Sequence, residues 1–305
     1  MRVYIIRRAL QSLIVCFGVS IITFLLLNVT GDPALLLLPP EATAEDVAVL
    51  REELGLNDPY IVQYGRFLKN ILHGDFGDSF FVKQSASSLI LERMPATIEL
   101  AVAGLLVTIV VSIPLGIAAA VKRNSLLDSF ASVFAITGQA MPVFWLGIMM
   151  IIVFGVKLHW FPVSGRGTPA HLVLPAITLG WYLAPLTMRL TRSGMLEVLG
   201  QEYIKTARSK GLRESLVLYK HALRNACIPV VTILGMQLGT LLGGAVVTET
   251  VFAWPGVASL AVTSIRNYDF PVVQAAVIIF AFFIVFANLF ADIAVGLLDP
   301  RIRYD

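Results

Sequence analysis

The stretch QEYIKTARSKGLRESLVLYKHALRNACIPVV, residues 201–231, is basic, helix-patterned and water-loving, yet it lies between two long apolar runs. Around it, from 191 to 227, the chain carries seven Lys and Arg against three Glu. Leu196, Leu199, Tyr203 and Ala207 recur every three or four residues, which places them on one face of a helix. Lys210 followed by Gly211 forms a stop, because a cation suits the last turn and glycine suits the left-handed position after it. A second helix is predicted over about 213–225, with Leu216, Tyr219 and Leu223 in line, and Pro229 fits the first turn of the next apolar run. Two short amphipathic helices hinged at a glycine can lie on lipid or dock in a protein groove, and the pattern fits both equally. The modest apolar faces, with Ala207 beside a glycine turn, leave room for another protein to approach closely.

The surroundings decide what holds this segment. Hydrophobic residues make up 57% of the chain and charged ones 14%, about half the charged share of an ordinary soluble domain, so the chain is a membrane protein by composition. Six uncharged runs stand out, at 9–31, 100–121, 129–156, 172–188, 225–248 and 270–291. A hydrocarbon core about 30 Å thick needs about 20 helical residues, so six all-α spans are predicted. Pro114, Pro142, Pro175 and Pro185 interrupt three of them. Arg2, Arg7, Arg8, Lys122, Arg123, Arg189, Arg192, Arg301 and Arg303 then fall on one face, with Lys157, Arg166 and Arg266 opposite. The positive-inside rule makes the richer face, and both termini, cytoplasmic. The first run is too long for a cleavable signal core and reads as an uncleaved span. The net charge of +3 follows from the cytoplasmic loops and calls for no nucleic-acid partner.

The loop at 32–98 falls outside, with five Lys and Arg against ten Asp and Glu. Thr43 caps a predicted helix whose stripe is Val47, Leu50 and Leu54 and whose stop is Gly55. Asp58 and Pro59 open a second, with Ile61, Tyr64, Phe67, Leu68, Ile71 and Leu72 as its stripe and Gly74 as its end.

Several chemistries lack their residues. None of the seven lysines follows a glycine, so there is no phosphate loop, and any ATP must be bound by another chain. His73, His159, His171 and His221 are scattered and open no zinc helix, and no G-x-S-x-G elbow occurs. Cys16 and Cys227 lie far apart and read as small hydrophobes. Asp292, near the inner end of the sixth span, lies four residues after Asn288 and so on the same helix face, which reads as a structural hydrogen bond across helices in preference to a transport role.

Gly31-Asp32-Pro33, LTRSGMLEVLGQEYIKTARSKGL (190–212), HALRNACIPVV (221–231), TETVFAWPG (248–256) and LDPRIRY (298–304) together resemble ABC importer permeases, most closely the dipeptide, oligopeptide and nickel branch. Of the wider class's E-A-A, three residues, Gly pattern, aligned with Lys205, Thr206, Ala207 and Gly211, only Ala207 and Gly211 match. The resemblance implies a type I ABC importer permease fold: one transmembrane permease domain over 1–305, with an extracytoplasmic helical insertion at 32–98 and a cytoplasmic coupling loop at 191–227. It implies that Tyr203, Lys205, Thr206, Ala207, Arg208, Gly211 and Leu212 dock on an ATPase subunit, and that Phe252, Trp254, Pro255 and Gly256 face a binding protein. The implied partners are a second homologous permease, two ATPases carrying ATP and Mg, an extracytoplasmic substrate-binding protein and the bilayer of a prokaryotic plasma membrane. The implied cargo is a di- or oligopeptide, with nickel and short sugars as alternatives, and the chain itself catalyses no covalent chemistry. An ATP-independent secondary transporter is the competing reading, which calls for an inverted repeat or ion-coupling carboxylates.

Overall fold

A computed structural model describes residues 2–30, 34, 38, 42–53 and 55–298, with the side chains of 2–6, 26–30, 238, 242–244, 290–292 and 294–298 left outside the description. Leu54, Gly31-Asp32-Pro33 and residues 299–304 of the terminal motif therefore lie outside the described residues, as does the Asp292 side chain. Among the described residues the regular structure is helical, and the single β-bridge joins Asp78 to Ser85. The helices are α1 (Arg2–Thr30), α2 (Ala44–Glu53), α3 (Tyr60–Leu72), α4 (Ala86–Val121), α5 (Leu126–Ala140), α6 (Val143–Met150, continuing as a π-helix over Ile151–Lys157), α7 (Pro169–Leu199), α8 (Glu202–Ser209), α9 (Glu214–Ala226), α10 (Ile228–Val251), α11 (Val257–Arg266) and α12 (Phe270–Leu298).

Four segments are long and apolar enough to cross a membrane unaided, at Arg7–Leu25, Ala86–Val121, Pro169–Leu199 and Phe270–Leu289. α5 with α6, bent by 105°, makes a fifth if the pair counts as one crossing, and α10, 24 residues long and entered from α9 through a 56° bend, is long enough for the sixth by itself. The sharper bend is where Pro142 was expected only to interrupt a span. Met141 is extended and Pro142 lacks an N–H, so the helical hydrogen-bond ladder stops and restarts at Val143. Span four is longer than predicted, so Arg189 and Arg192 lie within α7 rather than beyond its end. Span two likewise begins at Ala86, so the last residues of the predicted external insertion are already helix.

The chain gathers into two compact units, one centred on Ile98–Trp254 and the other on Arg7–Thr97 with Pro255–Val285. In the second unit, the two helices predicted between spans one and two form. Thr43 Oγ1 accepts from the Asp46 N–H, while the Asp46 carboxylate accepts from the Thr43 N–H and hydroxyl, and Gly55 and Gly74 take positive φ at the helix ends. Tyr64 and Phe67 of α3 pack edge-on and tilted against Phe24 of α1, and the Tyr64 hydroxyl meets Ser20 at 2.8 Å. Ile61 and Leu72, placed on the same stripe, stay exposed. The core joins Leu89, Ile90 and Met94 of α4 to Val257, Val272 and Ala275. Buried Asp269 accepts from the Ser79 hydroxyl at 2.5 Å and the Phe80 N–H at 3.1 Å, tying the loop before α4 to the start of α12.

In the first unit α4, α5 and α7 pack closely. Gly104 and Gly180 allow the backbones of α4 and α7 to touch, and the Thr108 hydroxyl bridges the carbonyls of both glycines at 2.9 and 3.1 Å. On the other side, Phe134 of α5 stands edge-on to Trp181 at 4.6 Å, and Ala131 and Ala135 meet Ala184 and Met188. Asp128, in the first turn of α5, holds Arg192 of α7 in a fork at 2.6 and 2.8 Å and also accepts from the Asn124 N–H.

Candidate functional site

The segment that opened the sequence is built from α8, a glycine turn and α9. The turn is a Schellman stop: the Gly211 N–H donates to the Arg208 carbonyl at 2.9 Å and the Leu212 N–H to the Ala207 carbonyl at 3.4 Å. Gly211 sits at φ +73, the left-handed region that suits glycine, and no atom lies within 4 Å of where its Cβ would be. Across the turn, Arg208 grips Glu214 with two hydrogen bonds at 3.1 and 2.6 Å. Further along, the Asn225 amide donates to the Tyr203 hydroxyl at 2.7 Å, so α9 folds back beside α8.

The apolar side of this element is already consumed by its own chain. Ile204 and Ala207 of α8, and Val217, Ala222 and Ala226 of α9, pack with Met195, Ile117 and Ala120. Burying one Ile or Val contributes about 1.5–3 kcal/mol, so these side chains are held against the helix ends and are not available to lipid. The predicted stripes need correction here. Leu196 and Leu199 belong to α7, and the helix breaks at Gly200 before Tyr203, so the inner face of α8 is Ile204 and Ala207. In α9 the buried positions are five and then four residues apart, because Val217–Ala222 is a π-helix turn that inserts one residue. Leu216 and Tyr219, predicted to be in line with the buried face, therefore turn outward with Leu212 and Tyr203. Tyr219 is 61% exposed. Of the predicted ATPase-docking residues, Tyr203, Lys205, Thr206, Arg208, Gly211 and Leu212 lie on this outer side, whereas Ala207 is buried. Tyr203, Leu212, Leu216 and Tyr219 are thus left exposed on the element, among the exposed cations Lys205, Arg208, Lys210 and Arg213.

The second predicted set is turned inward. Phe252 and Trp254 are each 1% exposed. The Phe252 ring packs on Gly147, its carbonyl accepts from the Gly165 N–H at 2.9 Å, and the Trp254 N–H donates to the Glu249 carbonyl. Pro255 is half-buried and Gly256, the N-cap of α11, is buried. Side chains this large fill the fold more favourably than they face water, and the motif's exposed positions are Thr250 and Ala253, the latter at φ +46. Among the described residues no group of three His, Cys, Asp or Glu is placed to hold a metal ion.

The Arg208–Glu214 clamp gives a pH prediction. The Arg208 hydrogen bonds hold the Glu214 carboxyl below its usual range, so the clamp's contribution is complete above about pH 4.5 and is lost as pH falls through the lower folded value. Both groups are about half exposed, which limits the effect to about 0.2–1 kcal/mol. Amide exchange at residues 211–213, referenced to intrinsic rates, should be flat from pH 8 to 5 and rise at most about fivefold below pH 4. Glu214→Gln should show the raised rate already at pH 7, and a variant with unchanged rates would refute the clamp.

Known proteins fall in line with this architecture. The chain belongs to the family of binding-protein-dependent transport system inner membrane components, whose model matches residues 112–304, with the N-terminal membrane component model matching 1–101. It is thus a multi-pass inner-membrane transport subunit. It is 38% identical to the dipeptide transport system permease protein DppB of Alkalihalophilus pseudofirmus, with all of both chains covered. It is 41% identical to the oligopeptide transport system permease protein AppB of Bacillus subtilis, again over the whole of both, and 40% identical to the glutathione transport system permease protein GsiC of Salmonella paratyphi A over 99% of each. Among solved structures, the inward-facing MetNI methionine ABC transporter shares the fold, with a TM-score of 0.59 and 20% identity over 69% of this chain and 96% of that one. Membership of this family removes the ATP-independent secondary transporter as an alternative.

Proposed function

We propose that this chain is the permease of an ATP-driven importer of di- or oligopeptides, and that the α8–α9 element is the coupling surface on which a separate ATPase subunit docks. The observation that carries the docking is the exposure of Tyr203, Leu212, Leu216 and Tyr219, left over after the inner faces of both helices are buried. ATP and Mg are bound by two such ATPase subunits. A second homologous permease completes the pathway, and an extracytoplasmic binding protein delivers the substrate. Both termini and the α8–α9 element face the cytoplasm. The peptide cargo is supported by the dipeptide, oligopeptide and glutathione systems to which the similar permeases belong.

Labelling tests side and partner together. In a chain with Cys16 and Cys227 replaced by serine, a cysteine introduced as Tyr219→Cys should react with a membrane-impermeant maleimide only after cells are opened. Co-expressed ATPase subunits should slow that reaction at least about tenfold, since a docked strip is dry at its centre. Labelling of intact cells, or a rate indifferent to the ATPases, would refute the docking.

A further inference from the structure

A cleft of about 510 Å³ opens along the α5–α7 face of the first unit, away from α8 and α9. Ser132, Ile136, Leu186, Arg189 and Ser193 line it, and its volume lies in the range of sites that hold small organic ligands. Ile136 and Leu186 are exposed apolar walls, so the single unneutralised charge within it stands out. Arg192 is neutralised by Asp128. Arg189 is not: its Nη1 donates to the neutral Gln139 side chain at 3.4 Å, and no carboxylate pairs with it among the described residues.

The direction of this side chain separates two explanations. α5 and α7 run antiparallel, with Asp128 beside Arg192 at one end and Gly138 against Pro185 further along. Arg189 is one turn before Arg192, so its backbone lies near the level of Ser132. Its side chain leans toward the N-terminus of α7, as helical side chains do, and its guanidinium reaches Gln139, about two turns up α5 and toward the apolar middle of the helices. An arginine serving a lipid headgroup snorkels the other way, toward the Asp128 end and water. A charge at membrane depth faces a wet cleft or finds a partner, and the partner here is the neutral Gln139, which leaves the guanidinium's charge free to take an anion. Two residues after Gln139 the helix breaks, and α6 restarts with Pro142 as an N-cap that supplies no side-chain acceptor. Broken helices at such depth present their free N–H groups to anionic substrate groups.

We propose that Arg189, seated on Gln139 in the α5–α7 cleft, recognises the free carboxylate of the substrate as it crosses the membrane. This rests on the peptide reading above and adds to it: the C-terminal carboxylate is the one anion that di- and oligopeptides share. The ion pair is transient, since Gln139 offers a neutral alternative partner once the substrate leaves.

The test is uptake of trialanine and of its C-terminal amide by the complete complex with its binding protein, reconstituted in phosphatidylcholine vesicles with or without phosphatidylglycerol. Comparing wild type with Arg189→Gln cancels any preference of the binding protein itself. The acid-to-amide uptake ratio should fall about tenfold or more in Arg189→Gln, the usual consequence of losing a charge-assisted hydrogen bond, and recover in part with Arg189→Lys. Co-purification of the ATPase subunits reports that each variant assembles. An unchanged ratio overturns the proposal, as does an effect confined to vesicles containing phosphatidylglycerol, which would make Arg189 a lipid site. Uptake of neither peptide by wild type would sink the peptide assignment, and the carboxylate site with it, which is distinct from normal uptake with an unchanged ratio.

Discussion

Gly180→Leu is expected to abolish recovery of folded protein. A Cβ at Gly180 would lie 2.7 Å from the Gly104 carbonyl oxygen and 2.7 Å from Val107 Cβ, closer than real Cβ contacts come. One obstacle is backbone, so no rotamer change relieves it, and α4 and α7 must separate. Overpacking typically costs about 1–3 kcal/mol and more when the backbone itself must move. Separation also breaks the bond from Thr108 to the Gly180 carbonyl, about 0.6 kcal/mol for such a bond within a bilayer. Domains are stable by only about 5–15 kcal/mol, so the sum is a large fraction of the total. In mild detergent the variant should lose its monodisperse peak in size-exclusion chromatography, with Gly180→Ala intermediate. Gly18→Leu is the control, since nothing lies within 4 Å of that position. A monodisperse Gly180→Leu with a wild-type melting temperature would show that the helix crossing is not tight.

Gly211→Val should leave the spans intact and cut transport. The space around Gly211 is open, so the cost is conformational: a left-handed residue with a Cβ is strained by about 1–2 kcal/mol, and a β-branched one by more. That exceeds the half-exposed Arg208–Glu214 clamp, worth about 0.2–1 kcal/mol, so the turn loses its fixed angle while buried Ile204 and Val217 keep both helices on the core. Gly211→Asn should be nearly neutral, because asparagine tolerates this region. In reconstituted vesicles, peptide imported per ATP hydrolysed should drop severalfold for valine and hold for asparagine. Equal behaviour of the two would mean that space, not backbone angle, governs the turn.

Local signals carried much of this structure. Thr43, Gly55, Gly74, Gly211 and Pro229 each act on their own few residues, and each marks a boundary close to where the structure has it. What escaped depends on contacts distant in sequence or on departures from the regular helical period. Nothing near Asp128 announces Arg192, 64 residues away. Pro142 signals an interruption but not a turn through 105°, because that angle is set by what packs on each side. Ile204 was missed because Gly200 resets the helix phase between Leu199 and Tyr203. For Phe252 and Trp254 the resemblance implies a role facing a binding protein, and no local pattern announces that both side chains fill the fold.

The π-turn at Val217–Ala222 makes α9 tolerant of length change in an unusual way. Deleting a single residue there would leave an ordinary helix able to keep Val217 and Ala226 inside while rotating which side chains look outward. A one-residue gap between otherwise similar permeases at this point would then mark a change of mating specificity rather than a broken element.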